Sequence, residues 1–348
     1  MSAWYLAAAK QLDQEARQEA LTRQSVLTKP PGSLGRLEAV AVALAAMQGC
    51  EQPSLNLPYI AIFAADHGIA KQGVSAFPQV VTGEMIRNFA AGGAAITVMA
   101  KQMGATFTVL NMGTAFPVEP LPSVRSLNIK PGTDDFSKQP AMSDQELMSC
   151  LQAAADFIDE IDADLFIGGE MGIANTTSAS ALAAVMLGEQ AEALVGPGTG
   201  VSSDVVMHKA QVIDAAIALH GVRREQPMAL LACLGGLEIA GLVGAYIRCA
   251  QRGLPVLVDG FIATVAALMA VAINPSIRGW LLFGHSSAEP GHRKVLAALE
   301  AEAILQLDMR LGEGSGAAVA YSVVQSALAL HRGMASFADA GVSGADEV

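Results

Sequence analysis

Leu165-Phe-Ile-Gly-Gly-Glu170-Met-Gly-Ile-Ala-Asn175-Thr-Thr-Ser-Ala-Ser-Ala181 is the stretch around which the chain is organised. A short apolar run ends in two glycines, and a small-residue, helix-compatible run follows. The pattern predicts a turn from a parallel strand into a helix. Glycines in such a turn let backbone N–H groups converge, and the helix N-terminus beyond them carries partial positive charge. Asn175, Thr176, Thr177 and Ser178 are residues that cap a helix or donate to an anion. An ordinary capped turn accounts for everything except Glu170. A carboxylate inside an anion-binding turn is out of place unless a ligand requires it.

The alternation continues on both sides of this stretch. Upstream, Tyr59-Ile-Ala-Ile-Phe-Ala-Ala65 is a continuous apolar strand ended by Asp66-His67-Gly68. Helical patterns at 82–90 and 94–102 follow, then a strand over 106–113, a proline-rich loop over 116–131 and a helix over 144–161. Downstream, the loop Gly196-Pro-Gly-Thr-Gly200 precedes a helix over 201–219, and the apolar run 228–234 ends in Gly235-Gly236, followed by a helix to residue 252. Pro255-Val-Leu-Val-Asp259-Gly260 reads as strand and turn, with a helix over 262–271. Trp280-Leu-Leu-Phe-Gly284 is another strand, ended by His285-Ser-Ser, and Pro290 seeds a helix near its first position. Residues 303–311, the turn Gly312-Glu313-Gly314-Ser315-Gly316 and a helix over 317–330 complete the pattern.

Strands that alternate with helices in this way predict a doubly wound α/β domain, a mostly parallel sheet with helices on both faces. Ligands in such sheets lie beyond the carboxyl ends of the strands. Asp66, Glu170, Asp259, His285 and Glu313 are all expected at that edge. Residues 3–24 and 36–47 read as helices broken at Thr28-Lys-Pro-Pro-Gly-Ser-Leu-Gly35. The expected division is therefore a small helical subdomain over 1–54, joined by the C-terminal residues 332–348, and an α/β catalytic domain over 55–331.

Hydrophobic residues make up 52% of the 348 and charged ones only 16%, enough to fill a large core and to argue against disorder. A net charge of −12 argues against nucleic acid or an anionic membrane as partner, though not against a small phosphorylated molecule held by a few donors. Cys50, Cys150, Cys233 and Cys249 lie far apart in apolar surroundings and read as free thiols. The N-terminus has no signal-peptide pattern, and the apolar runs are too short to cross a membrane. A soluble cytoplasmic protein is expected.

The common nucleotide fingerprints are absent. Residues 196–200 lack the full Gly-x-Gly-x-x-Gly spacing, no P-loop occurs, and the six histidines show no metal-ligand spacing. His208, His220, His292 and His331 read as helix-face residues, whereas His67 and His285 lie on the expected ligand edge. The most unusual turn is at Gly312-Glu313-Gly314. A glutamate flanked by glycines has no sequence neighbour to crowd it, and in an apolar pocket desolvation raises its pKa toward the range of a general base. An exposed helix-capping glutamate is the plainer alternative. Lys209, on the helix after Gly198, is a candidate counter-charge for phosphate.

Four motifs occur in order: Lys29-Pro-Pro-Gly-Ser-Leu-Gly-Arg-Leu-Glu38, Ala65-Asp-His-Gly68 with Gly73-Val-Ser-Ala-Phe-Pro78, Gly169-Glu-Met-Gly172 with Asn175-Thr-Thr177, and Leu311-Gly-Glu-Gly-Ser-Gly-Ala317. Together they resemble the nicotinate-nucleotide:dimethylbenzimidazole phosphoribosyltransferase family of cobalamin nucleotide-loop assembly, from the first helix to nearly the last residue. The resemblance implies a Rossmann-like domain with a small helical domain, a homodimer and no metal or other cofactor. It also implies transfer of 5-phosphoribose from nicotinate mononucleotide to 5,6-dimethylbenzimidazole, with Glu313 as general base. Glu170 would stabilise the oxocarbenium-like state or hold ribose hydroxyls. The azole slot would be Phe77, Val80, Val81, Met85 and Leu311. The phosphate would lie among Gly172, Thr176, Gly198, Lys209 and Ser286, with Asn175, Thr177, Asp259, Gly312 and Gly314 completing the substrate contacts. One departure is Ala174, where the family usually has glycine; its methyl group is expected to tighten the turn. A non-catalytic nucleotide or azole sensor on the same fold is the alternative from a different class. A nicotinamide-dependent oxidoreductase is suggested by fold class alone and lacks the fingerprint loop.

Overall fold

A computed structural model of the chain describes residues 3–196 and 203–343. In chain order the elements are α1 (Gln14–Val26), α2 (Arg36–Gln48), β1 (Pro58–Ala65), α3 (Val80–Ala91), α4 (Ala95–Met103), β2 (Thr106–Gly113), β3 (Val124–Ser126), α5 (Asp144–Glu160), β4 (Leu165–Met171) and α6 (Asn175–Leu187). They continue with α7 (Ser203–His220), α8 (Pro227–Leu234), α9 (Leu237–Arg252), β5 (Val256–Val258), α10 (Phe261–Ile273), β6 (Leu281–His285), α11 (His292–Ala298), β7 (Ala303–Leu305), α12 (Ser315–Gly333) and α13 (Phe337–Ala340).

The strands form one sheet in the order β3-β2-β1-β4-β5-β6-β7, and every neighbouring pair is parallel. The chain winds outward from β1 to β3, crosses back, and winds outward again from β4. The switch point, and with it the crevice such sheets use for ligands, lies between β1 and β4. All eight residues of β1 are buried, as a central parallel strand covered on both faces requires. One face is covered by α5, α9 and α10, the other by α3, α4 and α12. Glycines on α9 allow this close approach: a Cβ at Gly241 would stand 2.5 Å from the Phe63 ring, and one at Gly244 2.7 Å from the Leu151 carbonyl.

The expected fold class stands, and the sheet is more uniformly parallel than the sequence requires. Three local readings change, and one that was open is decided. Within 3–24 only α1 is α-helical, with a 3-10 turn at Trp4–Leu6. The intervening backbone is extended because its N–H groups find tertiary acceptors, Lys10 on Ala250 and Asp13 on Ala46. Asp13 then caps α1 by accepting from Ala16 N–H at 3.0 Å. The proline-rich loop contains β3, an edge strand of three residues too short for alternation to register. The run 228–234, too short for its period to distinguish helix from strand, is helix α8 with Pro227 in its first turn. Pro290 stands two residues ahead of α11 rather than inside it.

Near the termini, α1 and α2 pack together and α2 packs on α12. Leu27 pairs antiparallel with Ser336, and Arg23 donates to the His331 and Arg332 carbonyls. The C-terminal segment thus returns to the N-terminal helices. No helix among the described residues is long and apolar enough to cross a membrane.

Candidate active site

A cavity of about 320 Å³ opens at the carboxyl ends of the strands beside the switch point. Its wall gathers residues from widely separated stretches: Phe77, Glu170 to Ile173 with Asn175 and Thr176, Asp259 to Ala263, His285 with Ser287 and Glu289, and Arg310 to Glu313.

Glu170 ends β4 and Glu313 stands just before α12, and glycines bring the two together. A Cβ at Gly169 would stand 2.5 Å from the Glu313 backbone, and one at Gly312 2.5 Å from Glu170 Oε1. Gly312, Glu313 and Gly314 are consecutively left-handed, with φ of 86°, 64° and 81°. Glycine accepts that conformation freely; Glu313 between them carries a cost of about 1 kcal/mol. Asp259 holds this turn in place: its carboxylate accepts from Gly314 N–H at 3.1 Å and Ala317 N–H at 2.8 Å, capping α12 from a neighbouring strand. Asp259 therefore lines the cavity with both oxygens already engaged, as a brace for Glu313.

Burial sets the chemistry of the two glutamates. Desolvation, reinforced by the Asp259 carboxylate, pushes Glu313 up to about 7. Desolvation pushes Glu170 up to about 8, with Glu238, Asp259 and Glu313 adding to the shift and a hydrogen bond from Asn175 opposing it. Burial thus shifts the expected second anion toward its protonated form near neutral pH. A cationic ligand, or a pH above about 8, makes it anionic.

At the start of α6, Thr176 Oγ1 accepts from Lys209 Nζ at 2.8 Å, which leaves the hydroxyl proton free for a ligand. Lys209 is 2% exposed and does not itself line the cavity; burial pushes its pKa down to about 8, opposed by Glu289. Burial pushes Glu289 up, offset by Lys209 and Arg310. His285 is buried on the wall, wedged against Gly316, with Nε2 3.6 Å from Asp259 Oδ1 and Nδ1 without a partner.

Of the residues expected at the site, Phe77, Glu170, Gly172, Asn175, Thr176, Asp259, Leu311, Gly312 and Glu313 line the cavity. Gly314 stands behind its rim, its N–H given to Asp259. Thr177 is fully buried on the inner side of α6. Val80, Val81 and Met85 sit half-buried along the first turns of α3 and are not part of the wall. Ser286 gives its N–H to the Leu305 carbonyl at 2.7 Å, extending the β6–β7 pairing, so Ser287 rather than Ser286 reaches the cavity. Gly198 lies outside the described residues. His67, expected on the ligand edge, is fully buried beneath Gly172.

The sequence reading missed Met171, Ile173, Phe261, Ile262, Ser287, Glu289 and Arg310. Alternation along the extended segment after β6 could have favoured Ser287; nothing local marks Arg310. Among the described residues no group of His, Cys, Asp and Glu is arranged to hold a metal ion.

A strand-switch crevice with two proton-poised glutamates, a helix N-terminus and a lysine-backed threonine suits a phosphorylated sugar and a proton transfer. The sequence profile of a family described as a phosphoribosyltransferase matches residues 9–342, and the chain belongs to that family. Among its relatives, a nicotinate-nucleotide–dimethylbenzimidazole phosphoribosyltransferase of Pseudomonas aeruginosa is 54% identical over 343 residues, covering 98% of each chain. One of the same name from Azotobacter vinelandii is 56% identical over 346 residues, with 98% of each covered. A crystal structure of an enzyme of that name from Thermus thermophilus superposes with a TM-score of 0.90 at 39% identity, covering 96% of this chain and 100% of the other.

Proposed function

We propose that this phosphoribosyltransferase moves 5-phosphoribose from nicotinate mononucleotide to 5,6-dimethylbenzimidazole, with Glu313 as general base. The relatives' shared name supports the substrates. The observation that carries the mechanism is the Glu313 carboxyl, buried on the cavity wall and poised near neutrality.

One azole nitrogen attacks C1′ of the ribose as the bond from C1′ to the nicotinate nitrogen breaks. The electron pair of that bond neutralises the pyridinium, so the leaving group needs no acid. The second azole nitrogen loses its proton to Glu313. The products are α-ribazole 5′-phosphate and nicotinate, formed by a single displacement that inverts C1′. Glu170 meets the ribose: neutral, it donates to a hydroxyl; ionised by the approaching pyridinium, it steadies the oxocarbenium-like transition state. Thr176, its hydroxyl backed by Lys209, takes the phosphate at the positive end of α6. Phe77 and Leu311 form the apolar wall for the azole.

The same reading includes a small helical domain made of the N-terminal helices and the C-terminal return, a homodimer read by sedimentation, and a cytoplasmic location read by fractionation. The test of the reaction is to incubate the purified protein with both substrates near neutral pH. Equal amounts of nicotinate and an azole nucleotide with α-anomeric proton coupling are expected. Tight binding by calorimetry without product would make the chain a sensor, and a β-linked product would remove the inversion.

A further inference from the structure

Asp66-His67-Gly68, at the end of β1, has no part in the chemistry above, yet it is fully buried one layer beneath the cavity. The His67 ring is held at both nitrogens: Nδ1 is 3.0 Å from Ser178 Oγ in the first turn of α6, and Nε2 is 2.7 Å from Glu238 Oε1 on α9. Its faces are enclosed by glycines. A Cβ on cavity-lining Gly172 would stand 3.2 Å from the ring and 2.5 Å from the Ala65 carbonyl, and one on Gly236 would overlap the ring edge. The His67 carbonyl accepts from Gln79 Nε2 at 2.8 Å, which anchors the segment bearing Phe77. Thr82, fully buried on α3, accepts from Ile173 N–H at 3.1 Å through its Oγ1.

These bonds converge on one strained point. Ala174, between Ile173 and Asn175, is left-handed with φ of 75° and ψ of 6°, a region alanine avoids. Such a conformation persists only when its surroundings impose it. Here Thr82 grips the residue before it and His67, through Ser178, grips the helix after it.

We infer that Thr82 and His67 are positioning residues, Thr82 acting on Ile173 directly and His67 through Ser178, that hold the β4–α6 turn, with Ala174 left-handed, in the conformation that binds the phosphoribosyl substrate. The inference rests on the reaction proposed above. The turn presents Gly172, Asn175 and Thr176 to the ribose phosphate, whereas the azole wall draws mainly on Phe77 and Leu311. Loosening the turn therefore weakens one substrate more than the other.

The test uses Thr82→Val, which removes one hydroxyl at nearly constant volume, together with Ser178→Ala and His67→Gln, each in the native and in the Ala174→Gly background. KM for each substrate, kcat and calorimetric binding of nicotinate mononucleotide alone are measured. Loss of one hydrogen bond predicts that Thr82→Val raises the KM and the dissociation constant for nicotinate mononucleotide by about five- to tenfold, with the azole KM shifted less than about twofold. In the Ala174→Gly background, where the turn needs no enforcement, most of that loss is recovered. Should His67→Gln fail to fold, Thr82→Val and Ser178→Ala carry the test. Unchanged nicotinate mononucleotide binding in both would overturn the inference. So would equal losses for both substrates that Ala174→Gly does not rescue, since these mark simple structural support. Wild-type protein that makes no product would instead defeat the reaction, and the direct binding data would still judge the positioning role.

Discussion

The two turns that bring glutamates to the cavity solve the same problem in opposite ways. Before α12, Glu313 is left-handed between two left-handed glycines, and Asp259 accepts from the backbone N–H groups just after it. After β4, the left-handed position falls on Ala174 with no glycine beside it, and a buried scaffold from β1, α3 and α9 imposes the shape. One turn is permissive in sequence and braced by a single carboxylate; the other is strained in sequence and enforced by its surroundings. The carboxyls differ accordingly. Glu313 is raised to about 7, near neutrality, and Glu170, with the carboxylates of Glu238, Asp259 and Glu313 adding to its burial, to about 8. The first suits a proton acceptor, the second a group whose ionisation waits for substrate.

Substitutions that press the two turns apart test this contrast. Gly169→Ala has the largest expected effect: its methyl group meets the Glu313 backbone and the Ile62 side chain. Overpacking of this kind costs about 1–3 kcal/mol of stability, and displacing Glu313 by about an ångström lowers kcat/KM by roughly a hundredfold. Thermal unfolding and steady-state kinetics read both. Gly312→Ala adds a methyl group facing Glu170 Oε1 at a left-handed position, so a loss of about tenfold in kcat is expected, with a smaller fall in stability.

Glu170→Gln separates activity from stability. Glu170 holds its proton in the folded state up to about pH 8, against an ordinary value of 4.5. Its contribution to stability is therefore full below about 4.5 and is lost as pH rises through 8. The variant is expected to lose roughly tenfold in kcat, while its melting temperature exceeds that of wild type by about 2 °C or more at pH 9 and matches it near pH 5. A variant that melts lower than wild type at pH 9 would remove the buried acid. The smallest effect belongs to Ala174→Gly. Relief of left-handed strain offsets the added freedom of the unfolded chain, and differential scanning calorimetry should find a rise of about 1–2 °C.

The sheet was legible because its central strands are continuous apolar runs closed by glycine or acidic turns, as Tyr59 to Gly68 and Leu165 to Gly172 are. The glutamates were legible for a related reason: glycine-framed carboxylates at strand ends have few structural uses. What escaped depends on distance or on side. Lys209 backs Thr176 across two helices. Ser287 replaces Ser286 because one residue reverses the face. Asp259 braces a turn more than fifty residues later in the chain. His67 looked like a ligand-edge residue, and only its enclosure by Gly172, Gly236, Ser178 and Glu238 places it below the cavity. Ala174, expected to tighten its turn, takes the left-handed conformation that a glycine would adopt without strain.

The central claim is that Glu313 accepts the azole proton from a pKa poised near neutrality. Its most direct test is the pH dependence of kcat at saturating nicotinate mononucleotide and dimethylbenzimidazole, for wild type and for Glu313→Gln. Wild type should rise to a plateau with a midpoint near 7. Glu313→Gln should bind both substrates yet turn over about a hundredfold or more slowly, without that midpoint. A variant that keeps wild-type turnover and the same pH midpoint would place the base elsewhere and contradict the account.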